Sequence, residues 1–451
     1  MARGSQSISS ARQVAVTALA DASARFPDLA PTQLELGDLS GPDAALAVAI
    51  HRTTLQRWLT LEHLLDPLMS KPCHRLEPAM RAVLLAGAAQ LLFMQRLPAY
   101  AVVDEAVVLA RRLVRPGAAG LANAVLRRFS RLVGAHDPLT AWQPGEDRLP
   151  LDGGGVMLRE GLLPSVADRE AYLAVATSHP LQLVKRWVEQ FGLELTQRLC
   201  VHSTLAPPTI VAVEQGFDAS AGEGSDEAGE RLWQAHERPG FVVWRGSRER
   251  LVAFLAGHAH RRVQDPTSAR AVASCRSLEP RTVLDYCAGR GTKTVQLAAQ
   301  FPGARVLGCD PHAQRLASLG EAAGRHENVQ VLSVEAARQQ RVDLLVLDVP
   351  CSNTGVLARR PEARYRLSRR AGIDQVVGLV RQIMDAALPT LEAGGHLLFS
   401  TCSIEPAENE NQVRRLIKRQ GMQLVDEARH LPGGGDATYH DGGYHALLCK
   451  G

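Results

Sequence analysis

Thr282-Val283-Leu284-Asp285-Tyr286-Cys287-Ala288-Gly289-Arg290-Gly291-Thr292-Lys293-Thr294 is the stretch that decides the fold of the C-terminal part of this chain. A short apolar run ends in an acid, a glycine-rich turn follows, and Val295, Leu297 and Ala298 then continue at helical spacing. The pattern predicts a strand, a loop whose glycines let the backbone approach a ligand closely, and a helix.

Downstream the pattern repeats. Arg305-Val306-Leu307-Gly308, Val329-Gln330-Val331-Leu332, Leu344-Leu345-Val346-Leu347-Asp348 and His396-Leu397-Leu398-Phe399-Ser400 are short apolar runs separated by segments of helix length. Alternation of this kind predicts a parallel, doubly wound α/β sheet of the Rossmann-like type from about Gln264 to the end, with ligands at the carboxyl ends of the strands. Asp310 closes the second strand, where an acid can take the two ribose hydroxyls of an adenosine cofactor, and Glu335 follows the third, facing the adenine edge. The fourth strand runs into Asp348-Val349-Pro350-Cys351-Ser352-Asn353-Thr354-Gly355, and the fifth into Ser400-Thr401-Cys402-Ser403-Ile404-Glu405-Pro406. A single cysteine is most often a small buried hydrophobe. Two in polar settings at neighbouring strand ends, where the cofactor must lie, predict thiol chemistry.

Upstream, residues 10 to 131 read as helix after helix, ending in a basic one with Arg127, Arg128 and Arg131. Between Arg52 and Arg131 there are twelve Lys or Arg against five Asp or Glu, the charge balance of a face that meets phosphate or of a solvated helical surface. Pro, Gly and Asp enrichment around Gly153-Gly154-Gly155 reads as a linker. Helical periodicity returns at residues 166 to 203, and Pro207-Pro208 introduces a β-like run. The expected division is a helical domain over 1–140, a linker over 141–165, a small mixed α/β domain over 166–263 and a catalytic domain over 264–451.

The composition excludes other classes. With 451 residues, 45% hydrophobic, 22% charged and a net charge of +4, the chain has the balance of a soluble multidomain globular protein. The start lacks a signal-peptide core, and the longest apolar run, Val83 to Met94, is too short to span a bilayer. Eight scattered cysteines show no Cys-x-x-Cys pair and no zinc-ligand spacing, so free thiols, no metal and a cytoplasmic location are expected.

These residues resemble the RNA cytosine-5 methyltransferase superfamily, and nearly the whole chain resembles its bacterial RsmB/Sun type, which modifies 16S ribosomal RNA. The resemblance is carried by Asp348 to Leu357 with Arg360-Pro361, by Ser400 to Ile404 with Glu408-Asn409-Glu410, by Gln264-Asp265-Pro266 and by His440 to Tyr444. Gln90-Leu91-Leu92, Pro98, Val103 to Val107 and Asn123 to Arg128 resemble the helical NusB-type RNA-binding module. The resemblance implies S-adenosyl-L-methionine as cofactor, cradled by Cys287, Ala288, Gly289, Arg290, Gly291, Lys293, Asp310, Glu335 and Asp348. It implies Cys402 as nucleophile, Cys351 as the residue that assists release, and Lys293 and Asp348 as the pair that holds the base. Arg127 and Arg128 are candidate RNA phosphate contacts. The implied partner is RNA, 16S ribosomal RNA or a small-subunit assembly particle, bound by a monomer without DNA or membrane.

Two departures from the family pattern stand out. The cofactor loop, usually Ala-Ala-Pro-Gly-Gly-Lys-Thr, here reads Ala288-Gly289-Arg290-Gly291-Thr292-Lys293-Thr294, which places a cation beside a cationic sulfonium unless Arg290 points outward or pairs with the cofactor's carboxylate. The third-strand acid is Glu335 where aspartate is commoner. Transfer RNA or another ribosomal site as substrate, and a non-catalytic RNA-binding assembly protein, remain the alternatives.

Overall fold

The computed structural model describes residues 10–31, 34–138, 140–219, 231–368 and 371–451. By compactness the chain divides into two units, Met1–Ala206 with Leu357–Arg369, and Pro207–Val356 with Arg370–Gly451. The expected domain start at residues 1–9 lies outside the described residues.

In the second unit the five predicted strands form, and two more join them. We label them β1 (Thr282–Asp285), β2 (Arg305–Gly308), β3 (Val329–Val331), β4 (Val342–Asp348), β5 (Leu391–Thr401), β6 (Gln423–His430) and β7 (Gly443–Cys449). Their spatial order is 3-2-1-4-5-7-6. Strands β3, β2, β1, β4 and β5 are parallel, whereas β7 runs antiparallel to β5 and β6 antiparallel to β7. The sheet is therefore mixed, not purely parallel. Strand β6, exposed from Gln423 to Glu427, carries little apolar signal, because one row of neighbours is enough for an edge strand.

The apolar runs are continuous because both faces of the sheet are covered. Val283, Val306, Leu344, Val346 and Leu398 point to one side, against Val272, Leu297 and Phe301 from helices Pro266–Ala273 and Thr292–Gln300 and the residue that caps the latter. Leu284, Leu307, Leu345, Leu347 and Phe399 point to the other, against Val380, Met384 and Leu416 from helices Ala371–Ala387 and Glu410–Gln420. With both faces occupied, polar ligands are left the carboxyl edge.

A four-stranded antiparallel sheet precedes this core, ordered Trp233–Ala235, Phe241–Trp244, Thr209–Ala212, Arg262–Val263. It falls in the second unit, whereas helices Arg169–Ala176, Leu181–Phe191 and Leu193–His202 fall in the first. The segment 166–263 is thus split by compactness.

In the first unit, six α-helices between Ser10 and Leu132 match the predicted helical run. Helix Pro78–Phe93 is its centre, with every residue from Met80 to Gln90 buried. The glycine-rich stretch read as a linker is ordered instead: Gly154–Leu158 is the central strand of a three-stranded antiparallel sheet, paired with Val133–Asp137 on one side and Arg148–Leu151 on the other. Its glycines serve close approach. A Cβ at Gly154 would run into the Asp137 carbonyl, and one at Gly134 would lie 2.8 Å from that of Met157.

Leu357–Arg369 also belongs to the first unit, an excursion out of the expected contiguous 264–451 domain. Arg364 is wholly buried, donating to the carbonyls of Thr177 and Ser203 at 3.0 Å and of Leu357 at 3.3 Å, while the Tyr365 hydroxyl donates to the Leu55 carbonyl. Removing such a donor leaves buried carbonyls without partners, a cost of about 1–3 kcal/mol for each fully desolvated group. Arg364→Met is accordingly expected to destabilise the first unit by about 3 kcal/mol, seen as an earlier urea transition in circular dichroism.

Candidate active site at the carboxyl edge of the sheet

Strands β4 and β5 lie side by side with Asp348 opposite Ser400, so the loops that follow them leave the sheet together. Backbone contacts then zip these loops. Val349 N–H donates to the Ser400 carbonyl at 3.1 Å, Gly355 N–H to that of Cys402 at 3.0 Å, and Gly442 N–H to that of Gly355 at 2.7 Å. A Cβ on Gly355 would meet the Gly442 carbonyl at 2.6 Å and that of Cys402 at 2.8 Å, so glycine is required there.

Side chains complete the closure. The Glu408 carboxylate, fully buried, accepts from the Ser352 N–H at 2.7 Å and from the hydroxyls of both Ser352 and Ser403. Burial pushes its carboxyl up, against the opposing pull of those donors. Asn409 bridges Thr401 and the Ser403 carbonyl at 2.6 and 2.9 Å. The remote motifs meet as well: Asp265 caps helix Pro266–Ala273 by accepting from Thr267 N–H at 2.8 Å, and its second oxygen accepts from Asp441 N–H at 3.0 Å.

The two thiols are thereby brought together, with Cys351 Sγ 3.1 Å from Cys402 Sγ and Cys402 Sγ 3.2 Å from Asn353 Oδ1. Asn353 sits at φ 63° and donates its amide to the Cys351 carbonyl at 2.9 Å. Lys293 donates to Asp348 Oδ2 at 2.8 Å and to Ser268 Oγ at 3.0 Å, while Ser400 donates to Asp348 Oδ1 at 2.8 Å. Burial alone would lower the lysine, but the charges of Asp348, Cys402 and Asp285 outweigh it, and Lys293 is held as an ammonium. The Cys351 thiol is pushed well up by its hydrogen bond to Cys402, by burial, and by the charges of Cys402 and Glu408.

The glycine loop follows β1 as predicted. Gly289 (φ 58°) and Gly291 (φ 91°) are left-handed, and Gly291 starts helix Thr292–Gln300. No atom lies within 4 Å of where a Gly289 side chain would begin, whereas one on Gly291 would meet Leu319 at 2.9 Å. Asp310, buried after β2, accepts from Gly289 N–H at 3.1 Å and from His312 N–H at 2.9 Å. Asp285 beneath the loop accepts from Thr294 at 2.7 Å through one oxygen, while the other is buried without a partner, and burial pushes this carboxyl up to about 7. Cys287 is likewise kept neutral by burial and the neighbouring acids. Ala288 is buried, and Arg290 is exposed, which keeps its charge in water. Glu335 lies in the first turn of Val334–Arg338 and is exposed. An open face above Gly289 and an orphaned buried acceptor at Asp285 fit a nucleoside cofactor bearing an amino group.

Cys351, Cys402, Asp348 and Lys293 thus converge as the sequence predicts. Ser268, Asn353, Ser400 and Glu408 escaped that reading as functional groups. Only their nearness to the motif cysteines, or for Ser268 to Asp265-Pro266, could have signalled them. Arg127 and Arg128, in the first unit, are exposed on helix Ala118–Leu132.

Comparison with known proteins agrees with this arrangement. Residues 276–437 match the family model described as 16S rRNA methyltransferase RsmB/F, and residues 9–131 match the NusB family. The ribosomal RNA small subunit methyltransferase B of Erwinia tasmaniensis is 29% identical over 443 residues, covering 94% of this chain and 93% of the relative. Its counterpart from Salmonella typhi is 28% identical over 447 residues, with the same coverage. Among solved structures, PH0851 superposes over 98% of both chains with a TM-score of 0.70 at 20% identity. A methyltransferase homolog protein from Pyrococcus horikoshii covers 63% of this chain and 99% of its own, with a TM-score of 0.51 at 18% identity. Those two establish the shared fold. From the matched models and the near full-length relatives, residues 276–437 belong to the RsmB/F methyltransferase family and residues 9–131 to the NusB family, and the protein is an RNA methyltransferase.

Proposed function

We propose that this enzyme methylates carbon 5 of a cytosine in RNA, with Cys402 as nucleophile and Cys351 as the releasing partner. The observation that carries the reading is an electrical asymmetry between two adjacent thiols. The Lys293 ammonium lies within electrostatic reach of Cys402, while the Glu408 carboxylate opposes charge on Cys351. Cys351 is thereby held as the neutral thiol, the form that can hand on a proton rather than attack.

Carbon 5 of cytosine is a poor nucleophile. Addition of the Cys402 thiolate at C6 shifts the C5–C6 electron pair toward C5 and makes it one. S-adenosyl-L-methionine would be held by Cys287 to Gly291, Lys293, Asp310, Glu335 and Asp348, and would supply the methyl group as an electrophile, with the neutral thioether as its leaving group. Asp348 and Lys293 supply an acceptor and a donor to hold the base. For release, the C5 proton departs, the double bond re-forms and the Cys402 sulfur leaves. Cys351, 3.1 Å from that sulfur, is placed to relay the proton between carbon and thiolate. Small-subunit 16S ribosomal RNA is the substrate favoured by the names of the near full-length relatives. Arg127 and Arg128 of the NusB-family domain are assigned to its phosphates.

Cys402→Ala should reduce methyl transfer to background in a single-turnover assay with labelled cofactor. Cys351→Ala should leave protein attached to RNA on a denaturing gel, and turnover at the wild-type rate by Cys402→Ala would sink the mechanism. Glu408→Gln keeps the shape but replaces one acceptor oxygen with donors. The loosened loops should slow the chemical step by about 10²-fold, with cofactor affinity by calorimetry unchanged. Bisulfite sequencing of total RNA from cells without the protein should show one 5-methylcytosine fewer, located in 16S ribosomal RNA. An unchanged map there counts against that substrate.

A further inference from the structure

Within the second unit, the small four-stranded sheet and helix Pro266–Ala273 enclose a groove of about 330 Å³. Four arginines line it: Arg238 from the turn before Phe241–Trp244, Arg262 from the last strand of that sheet, Arg270 from the helix and Arg276 just beyond it. Among the described residues no carboxylate lines the groove. Arg262 and Arg270 are half-buried and Arg238 and Arg276 exposed, so four like charges gather on one concave surface with no lining carboxylate among the described residues.

The partners of these arginines are neutral. Arg262 donates from Nε to Gln264 Oε1 at 2.6 Å and from Nη1 to the His260 carbonyl at 2.9 Å, and burial lowers it to about 10. Arg270 meets His430 Nδ1 at 3.2 Å, and Arg276 Nε donates to the Ala273 carbonyl at 3.2 Å. The neighbouring Arg261 shows what a self-sufficient arginine looks like in the same place. It binds Glu214 through two nitrogens at 2.9 and 2.6 Å and lies 4.1 Å over the Phe254 ring, and the Glu214 carboxyl is held down at about 2. Among the described residues the groove arginines have no such carboxylate, which leaves their charge available to an anion from solution.

Guanidinium forks match phosphate oxygens in pairs, and a row of them suits a polyanion better than a single ion. The same groove includes the half-buried ring of Phe241, a surface on which a base can stack. Helix Pro266–Ala273 links the groove to the chemistry, because it carries both Arg270 and the Ser268 that holds Lys293.

We propose that this arginine groove is an RNA-binding site that holds the sugar-phosphate backbone of the substrate strand beyond the target cytosine, with Phe241 stacking on one of its bases. The inference rests on the RNA-methylation reading above and adds the site through which the strand is gripped.

The test uses the full-length enzyme and two variants, the exposed pair Arg238→Gln/Arg276→Gln and the half-buried Arg262→Gln, with thermal melts to establish that each is folded. The probe is a 16S ribosomal RNA fragment in filter binding across a salt series. Removing one arginine–phosphate pairing should flatten the log–log salt slope by about 0.7, and the exposed pair should weaken RNA affinity and raise KM for RNA about tenfold, with S-adenosylmethionine affinity unchanged. Wild-type affinity and slope in both variants, from an enzyme that methylates the fragment, would overturn the groove alone. Loss of inorganic phosphate or polyglutamate binding, with RNA binding intact, would also overturn it in favour of a small-anion or acidic-protein site. A wild-type enzyme that neither binds nor methylates RNA would overturn the groove and the proposed function together.

Discussion

The site depends on the parallel pairing of β4 with β5, which sets Asp348 beside Ser400 at the edge of the sheet. A parallel pair has no tight turn between its strands, so the residues after each strand leave on the same side. Here both carry a cysteine within three residues of the register pair. The two cysteines are 51 residues apart in the chain, and the sheet brings their loops to the same edge. A one-residue slip would turn Asp348 away from Lys293 and exchange the two faces of β4, whose Leu344 and Leu345 are buried on opposite sides. Apolar burial on both faces therefore fixes the register, and the register fixes the chemistry.

Pairing brings the loops to the same edge, but placing two sulfurs 3.1 Å apart needs more. That part is done by polar groups sealed from water. Glu408 takes donors from Ser352 and Ser403, one from each cysteine loop, and Gly355 lets the chain lie against both Gly442 and the Cys402 carbonyl. Such a network is favourable only when every member is satisfied, since each buried polar group left alone costs about 1–3 kcal/mol. A loop that cannot drift without breaking several of these bonds is rigid for that reason. The dependence also accounts for the distance along the chain between Gln264-Asp265-Pro266, His440 to Tyr444 and the cysteines they support.

What was legible in the sequence followed from periodicity and from motif chemistry. Strands with both faces buried announce themselves as apolar runs, so β1 to β5 could be read, whereas β6 at the edge, exposed from Gln423 to Glu427, could not. Gly153-Gly154-Gly155 misled because glycine marks either flexibility or close approach, and only the neighbouring strand at Asp137 decides between them. The cofactor loop was legible as strand, turn and helix, and the exposure of Arg290 removes the conflict its charge posed. Glu408, although part of a quoted motif, Asn353 and Ser268 each also meet a partner 25 or more residues away, Ser352, Cys402 and Lys293 respectively, and no local pattern records such a partner. Leu357–Arg369 had the same difficulty, its Arg364 meeting Thr177 and Ser203 across more than 150 residues.

At about 3 Å and an effective dielectric near 20, two negative charges repel by roughly 5 kcal/mol, so charge on one sulfur opposes charge on the other. The hydrogen bond to Cys402, burial and the charges of Cys402 and Glu408 push the Cys351 thiol well up. Lys293 is neutralised in part by Asp348, yet it still acts on Cys402, while Glu408 acts on Cys351. The sulfurs themselves are chemically identical. In the proposed mechanism, what separates the two sulfurs is a lysine on the helix after β1 and a glutamate beyond β5, so their roles are set by the whole sheet edge.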